Sequence, residues 1–158
     1  MKRILFGFLA AALTVSASAQ LPQIRITSVY PAGAQQGTTA DVTVSVGTDI
    51  DEATELLFSH PGLKATPRKD GNGNPLANQF SVTVDSSVPA GLYDVRMRGP
   101  FGVSNPRTFR VDTIPEVPEA EPNNLPEQAM AVPLGNVVNA RANSAADVDM
   151  YTLSLIHI

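Results

Sequence analysis

Apolar positions recur at every second residue in short runs along most of this chain. Glycine, proline or small polar residues end each run. Ile24 and Ile26 alternate with Arg25 and Thr27 before Pro31-Ala32-Gly33 interrupts. Val42, Val44 and Val46 alternate with Thr43 and Ser45, and Phe80, Val82 and Val84 alternate with Ser81 and Thr83. Tyr93, Val95 and Met97 alternate with Asp94, Arg96 and Arg98. Gly99, Pro100, Gly102 and Pro106 then mark a turn, after which Phe109 and Val111 resume the apolar positions. A period of two puts successive side chains on opposite faces, so each run predicts a strand with one face buried and one wet. Leu56-Leu57-Phe58 is a shorter run, stopped by His60-Pro61-Gly62. Six or seven short strands in about ninety residues predict an all-β fold, an antiparallel β-sandwich whose sheets cover each other's apolar faces.

Composition narrows the chemistry. Hydrophobic residues make up 43% of the 158, enough for a core, while charged residues are only 16%. The 13 prolines and 11 glycines fit a turn-rich β protein. There is no cysteine, which excludes disulfides and thiolate metal sites. The net charge of -4 lacks the basic footprint of a nucleic-acid binder. At the N-terminus, Lys2 and Arg3 precede the apolar run Ile4–Val15 and the small-residue site Ala17-Ser18-Ala19. This is the pattern of a secretory signal peptide over residues 1–19, too short to span a bilayer comfortably. Its removal takes Lys plus Arg from 11 to 9 against 15 acidic residues, for a net charge of -6. The expected location is extracellular, cell-surface or periplasmic, with no transmembrane span in the mature chain.

Two local features carry specific structural expectations. Asp70-Gly71-Asn72-Gly73-Asn74-Pro75 opens like a calcium loop, but Pro75 stands where the turn glycine belongs and Ser81 where the bidentate glutamate belongs. A hairpin loop is the better reading. Tyr93, after Pro89-Ala90-Gly91-Leu92, is placed like the tyrosine of a tyrosine corner, with its hydroxyl bonded to nearby backbone. Pro31, Gly33, Gly37, Thr38, Val42 and Val44, followed by Pro89, Gly91, Tyr93, Val95, Gly102, Ser104, Pro106, Phe109 and Val111, together resemble the opening and closing segments of an IPT/TIG-type Ig-like domain. The resemblance covers residues 22–112 and implies an Ig-like sandwich. Such domains serve as spacers, adhesins and enzyme accessories, so it implies little about function.

Residues 113–118 form an acidic, proline-rich linker. From Glu119 the sequence changes character. Glu119, Glu121, Pro122, Asn123 and Ala129, followed by Asp147, Asp149 and Tyr151, resemble the start of a bacterial pre-peptidase C-terminal (PPC) domain. The family consists of small β-sandwiches on secreted peptidases and other surface proteins. Related collagen-binding modules hold calcium with acidic and asparagine residues from these two segments. Carried over position by position, that resemblance implies a calcium ligand set drawn from Glu119, Glu121, Asn123, Asn124, Asp147 and Asp149. Carboxylate and amide oxygens suit calcium, which takes six to eight oxygen ligands. A solvated acidic linker is the alternative reading.

Residues 119–152 cover only the first third of such a module, which predicts that they are poorly ordered or paired onto the first sandwich. Residues 153–158, Leu-Ser-Leu-Ile-His-Ile, are also the translation of a transposase adapter end used in sequencing libraries. On that expectation they are read-through, and the natural protein continues.

Nothing in the sequence points to catalysis. His60 lies in a turn and His157 in the adapter-like tail, and neither G-x-S-x-G nor H-E-x-x-H occurs. Asp49, Asp51, Glu52 and Glu55 read as a solvated acidic loop. The expected function is therefore non-catalytic: binding, adhesion or spacing at the cell surface, toward an unidentified protein or polysaccharide. The alternative is a set of accessory modules for a larger secreted hydrolase or peptidase.

Overall fold

A computed structural model describes residues 22–154. The proposed signal peptide and residues 155–158 of the adapter-like tail lie outside the described residues. The fold is all-β, and its larger part is a sandwich of two sheets. The first sheet is antiparallel, in the order β1 (Arg25–Tyr30), β3 (Thr39–Thr48), β6 (Pro75–Val84), β5 (Leu63–Lys69). The second runs β2 (Gly33–Gln35), β9 (Arg107–Asp112), β7 (Gly91–Gly99), β4 (Glu55–Phe58), with the short β8 (Gly102–Val103) paired to β7. Among the described residues, no helix is long and apolar enough to cross a membrane.

The alternation seen in the sequence is what fills the sandwich. Val42 and Val44 from β3, Phe80, Val82 and Val84 from β6, Val95 and Met97 from β7, and Phe109 and Val111 from β9 are all buried. Phe109 lies edge-on to Phe58, with ring centroids 5.3 Å apart. Stripping a ring such as Phe109 to alanine removes about 3–5 kcal/mol, because the cavity collapses only in part.

Polar side chains fix the ends of the strands. Tyr93 donates its hydroxyl to the Pro89 carbonyl at 2.7 Å, as the tyrosine-corner placement predicts. Buried Ser104 accepts the Met97 N–H at 2.9 Å and donates to the Asn105 carbonyl at 2.8 Å. Asn105 then bridges to β1, accepting the Ile26 N–H at 2.9 Å and donating to the Ile26 carbonyl at 3.0 Å. The two sheets are thus tied by a backbone-mimicking amide next to Pro106. Asp70–Pro75 forms the hairpin loop between β5 and β6. The Asp70 carboxylate accepts the N–H groups of Asn72 at 2.9 Å and Asn74 at 2.8 Å, so the loop itself supplies its partners.

Nine strands replace the six or seven expected in this region. β5 was hidden because only Leu63 is buried in it and Pro67 interrupts its polar run, which an edge strand tolerates. β2 arises because Pro31 cannot extend the pairing of β1, so the chain crosses to the other sheet and runs parallel to β9.

The C-terminal part contains short strands only. Residues 113–118 carry β10 (Glu116–Pro118), which runs parallel to β12 (Val137–Asn139). β11 (Met130–Val132) runs parallel to β13 (Tyr151–Leu153), and a single 3-10 turn covers Pro126–Gln128. Side chains of this part and the first sandwich meet at Tyr30. Its hydroxyl donates to the Asn139 carbonyl at 3.0 Å, and the Arg141 guanidinium lies 4.7 Å above its ring.

Candidate metal centre

The residues from Glu119 onward are aligned by the ladder that begins in β10. The Glu119 N–H donates to the Asn139 carbonyl at 2.8 Å, which continues the β10–β12 pairing by one residue. Glu119, Glu121 and Asn123 recur at every second position, the spacing that suits one side of an extended segment. Asp149 comes back to them from 26 to 30 residues away in sequence for backbone reasons. The Met150 N–H donates to the Asn123 carbonyl at 3.0 Å, and the Val148 N–H to Asn124 Oδ1 at 2.9 Å. Both segments are therefore stitched together on either side of Asp149.

The result is a cluster of three carboxylates. Glu119, Glu121 and Asp149 each offer an oxygen, and these oxygens all lie within 4.8 Å of one another. Two oxygens on opposite sides of a shared calcium, each about 2.4 Å from it, stand about 5 Å apart, so this spacing fits one ion. Asn123 completes the picture. It is fully buried, its Nδ2 donates to Glu119 Oε1 at 2.8 Å, and its Oδ1 has no hydrogen-bond partner. A buried carbonyl oxygen without a donor costs about 1–3 kcal/mol unless a cation or other partner meets it. Asp149 Oδ1 is in the same condition. The donor set is oxygen only, as a hard cation such as calcium requires.

Electrostatics within the cluster follow from this crowding. Burial raises the pKa of Asp149 above the ordinary carboxylate value, and the negative charges of Glu119, Asp147 and Glu121 push it the same way. Burial also works to raise Glu119. Hydrogen bonds from the Tyr151 hydroxyl, the Arg141 N–H and the Asn123 amide outweigh it and hold the Glu119 carboxyl below its usual range. Tyr151 is raised by burial and by its bond to Glu119.

Of the six residues implied by the PPC resemblance, four meet: Glu119, Glu121, Asn123 and Asp149. The Asn124 oxygen serves the Val148 N–H instead, and Asp147 accepts the Asn143 N–H. Both shape the loop around the cluster. Three contributors were not among the candidates. Tyr151 donates to Glu119 Oε1 at 2.6 Å, Arg141 donates its N–H to Glu119 Oε2 at 3.0 Å, and Asn143 Nδ2 donates to Glu121 Oε1 at 3.0 Å. Tyr151 stood in the D-x-D-x-Y motif, which was its one signal. Arg141 acts through its backbone, which no side-chain pattern reports.

His60 has a structural position. Its Nδ1 accepts the Gly62 N–H at 3.1 Å, and its ring meets Tyr93 edge-on at 5.4 Å. Of the acidic residues before and at the start of β4, Asp49 accepts the Gln23 N–H at 2.9 Å and Glu55 pairs with Arg98.

No family model matches the chain, and no curated protein matches it. Among solved structures, it is similar to the Bacteroides ovatus mixed-linkage glucan utilization locus protein SGBP-B, solved in complex with a mixed-linkage heptasaccharide. The similarity has a TM-score of 0.41 at 16% identity and covers 73% of this chain and 27% of that one. This chain thus spans about a quarter of the length of that structure.

Proposed function

We propose that residues 22–154 are non-catalytic modules of an exported protein, and that calcium binds where the second module begins. The first module is an IPT/TIG-type Ig-like sandwich, and the segment from Glu119 is the opening of a PPC-type domain. Together they serve binding, adhesion or spacing at the cell surface. The observation that carries the calcium reading is Asn123. A fully buried amide oxygen has no donor while three carboxylates crowd beside it.

In this reading Glu119, Glu121 and Asp149 supply negative charge, and Asn123 supplies a neutral oxygen. Tyr151, Arg141 and Asn143 orient the carboxylates. Calcium would offset the mutual repulsion of the three acids and tie residues 119–123 to residues 147–150.

Calorimetric titration of the protein with calcium tests this. One site per chain is expected, with affinity at least about tenfold weaker in Asn123→Ala and in Glu119→Gln, as loss of a charged or buried oxygen ligand requires. Absence of a binding heat in the native protein, together with an unchanged melting temperature on adding calcium, contradicts the assignment.

A further inference from the structure

A second site lies along the side of the first sandwich, beside the strands β10 and β12 that lead to the acidic cluster. Its origin is the departure of the chain from β1. The pairing of β1 with β3 ends where Tyr30 faces Thr43, and β2 then joins the other sheet. Thr39, Ala40 and Asp41 remain paired to Thr83, Val82 and Ser81 of β6 on one side. On the other side no strand of the described residues pairs with them, so β3 has a free edge there. β10 comes up beside β2 rather than closing that edge.

The space left is a groove of about 420 Å³, within the range of about 300–1,000 Å³ typical of ligand sites. Tyr30, Ala40 and Asp41 line one wall, and Pro115, Glu116 and Asn139 the other. Its lining includes two carboxylates and no lysine or arginine. Asp41 is already met by Arg68 at 3.2 Å and by the Ser81 hydroxyl at 2.9 Å. Glu116 is not met by any cation. One of its oxygens accepts from Asn139 Nδ2 at 2.6 Å, while Oε1 is buried with no partner. The carboxylate is packed over Gly33, where a side chain would come within 2.9 Å of Oε1 and 2.7 Å of the Arg110 carbonyl. Glycine at 33 is what lets the acid settle there.

These observations share one complement. A free strand edge takes an extended backbone. Tyrosine and proline surface takes the aliphatic stem of a long side chain. A carboxylate met by no cation takes an ammonium or guanidinium. We propose that this groove binds an extended basic peptide segment of a protein partner. The segment pairs with the edge at Thr39–Asp41 and places a lysine or arginine on Glu116. The inference rests on the binding role proposed above, and because Glu116 and Asn139 lie on the strands that lead into the calcium cluster, its test is run with calcium present.

The test is fluorescence anisotropy in calcium-containing buffer. The probe is a fluorescein-labelled, end-capped octapeptide of alternating lysine and threonine. Saturable binding is expected, weakened at least about tenfold in Glu116→Gln, as loss of a charge-assisted bond implies. The same peptide N-methylated at alternate residues should lose binding, because it cannot pair with a strand edge. Should Glu116→Gln melt earlier than the native protein, Asp41→Asn on the opposite wall substitutes for it, with weakening expected. The proposal is overturned by no binding up to about 1 mM peptide, by equal binding of the N-methylated or a glutamate-for-lysine peptide, or by displacement with a β-glucan oligosaccharide. A failed calcium titration with intact peptide binding would remove the metal reading and leave this one standing.

Discussion

Between Ile24 and Val111, the two sheets hold an apolar layer in which Val42, Val82, Val95 and Phe109 are completely out of water. Between residues 119 and 153, the completely buried side chain is the polar Asn123, and Val132 is the one buried apolar residue. The contrast separates two ways of holding a β structure. Apolar burial contributes about 25 cal/mol per Å² whatever the ion content of the solvent. A network of carboxylates, amides and backbone N–H groups is worth little until its like charges are offset. Among the described residues, Leu125, Leu134, Val148 and Leu153 are all exposed.

Perturbations sharpen this difference, and the largest belongs to the apolar region. Phe109→Ala should destabilise the first sandwich by about 3–5 kcal/mol. Urea denaturation measures it, with the loss unaffected by calcium. A loss under about 1 kcal/mol would mean the two sheets do not depend on their shared layer. Next is the tyrosine corner. Tyr93→Phe removes one hydrogen bond to the Pro89 carbonyl and should cost about 1 kcal/mol in the same assay. An unchanged midpoint would show that the corner is ornamental to stability.

The smallest effect is at the Asp70 loop. Hydrogen bonds from Asn74, first through its backbone N–H, and then from Asn72 and Gly73 hold the Asp70 pKa below its ordinary value of 3.8. A depressed carboxylate pKa stabilises the fold above its unfolded value and loses that contribution as pH falls through the folded one. Loop order should therefore be constant at neutral pH and fall away only below about pH 3.8. Amide exchange at Asn72 and Asn74 reads this directly. Loss of their protection already at pH 6 would contradict it.

The same contrast explains what could be read in advance. Strands β3, β6, β7 and β9 announced themselves because an inward valine or phenylalanine at every second residue is a local signal. Tyr93 was legible because its partner lies only four residues away. β5 was not, since an edge strand with Leu63 as its one buried residue carries almost no alternation. At the acidic cluster, the motifs of the PPC resemblance pointed to Glu119, Glu121, Asn123, Asn124, Asp147 and Asp149. They could not say that the oxygens of Asn124 and Asp147 would go to backbone N–H groups. Nor could they reveal Arg141, whose role is played by its own N–H, or the Glu116 oxygen left without a partner. Those outcomes depend on which distant strands meet, and pairing is not written in any single segment.

The claim that ties these observations together is that the second region is ordered by a cation and the first is not. Hydrogen exchange with mass spectrometry, run on the native protein in calcium and in excess chelator, tests it most directly. The account predicts that protection in residues 116–153 falls sharply in chelator while the strands from Arg25 to Asp112 exchange at the same rate in both. Equal protection of residues 116–153 with and without calcium would contradict it.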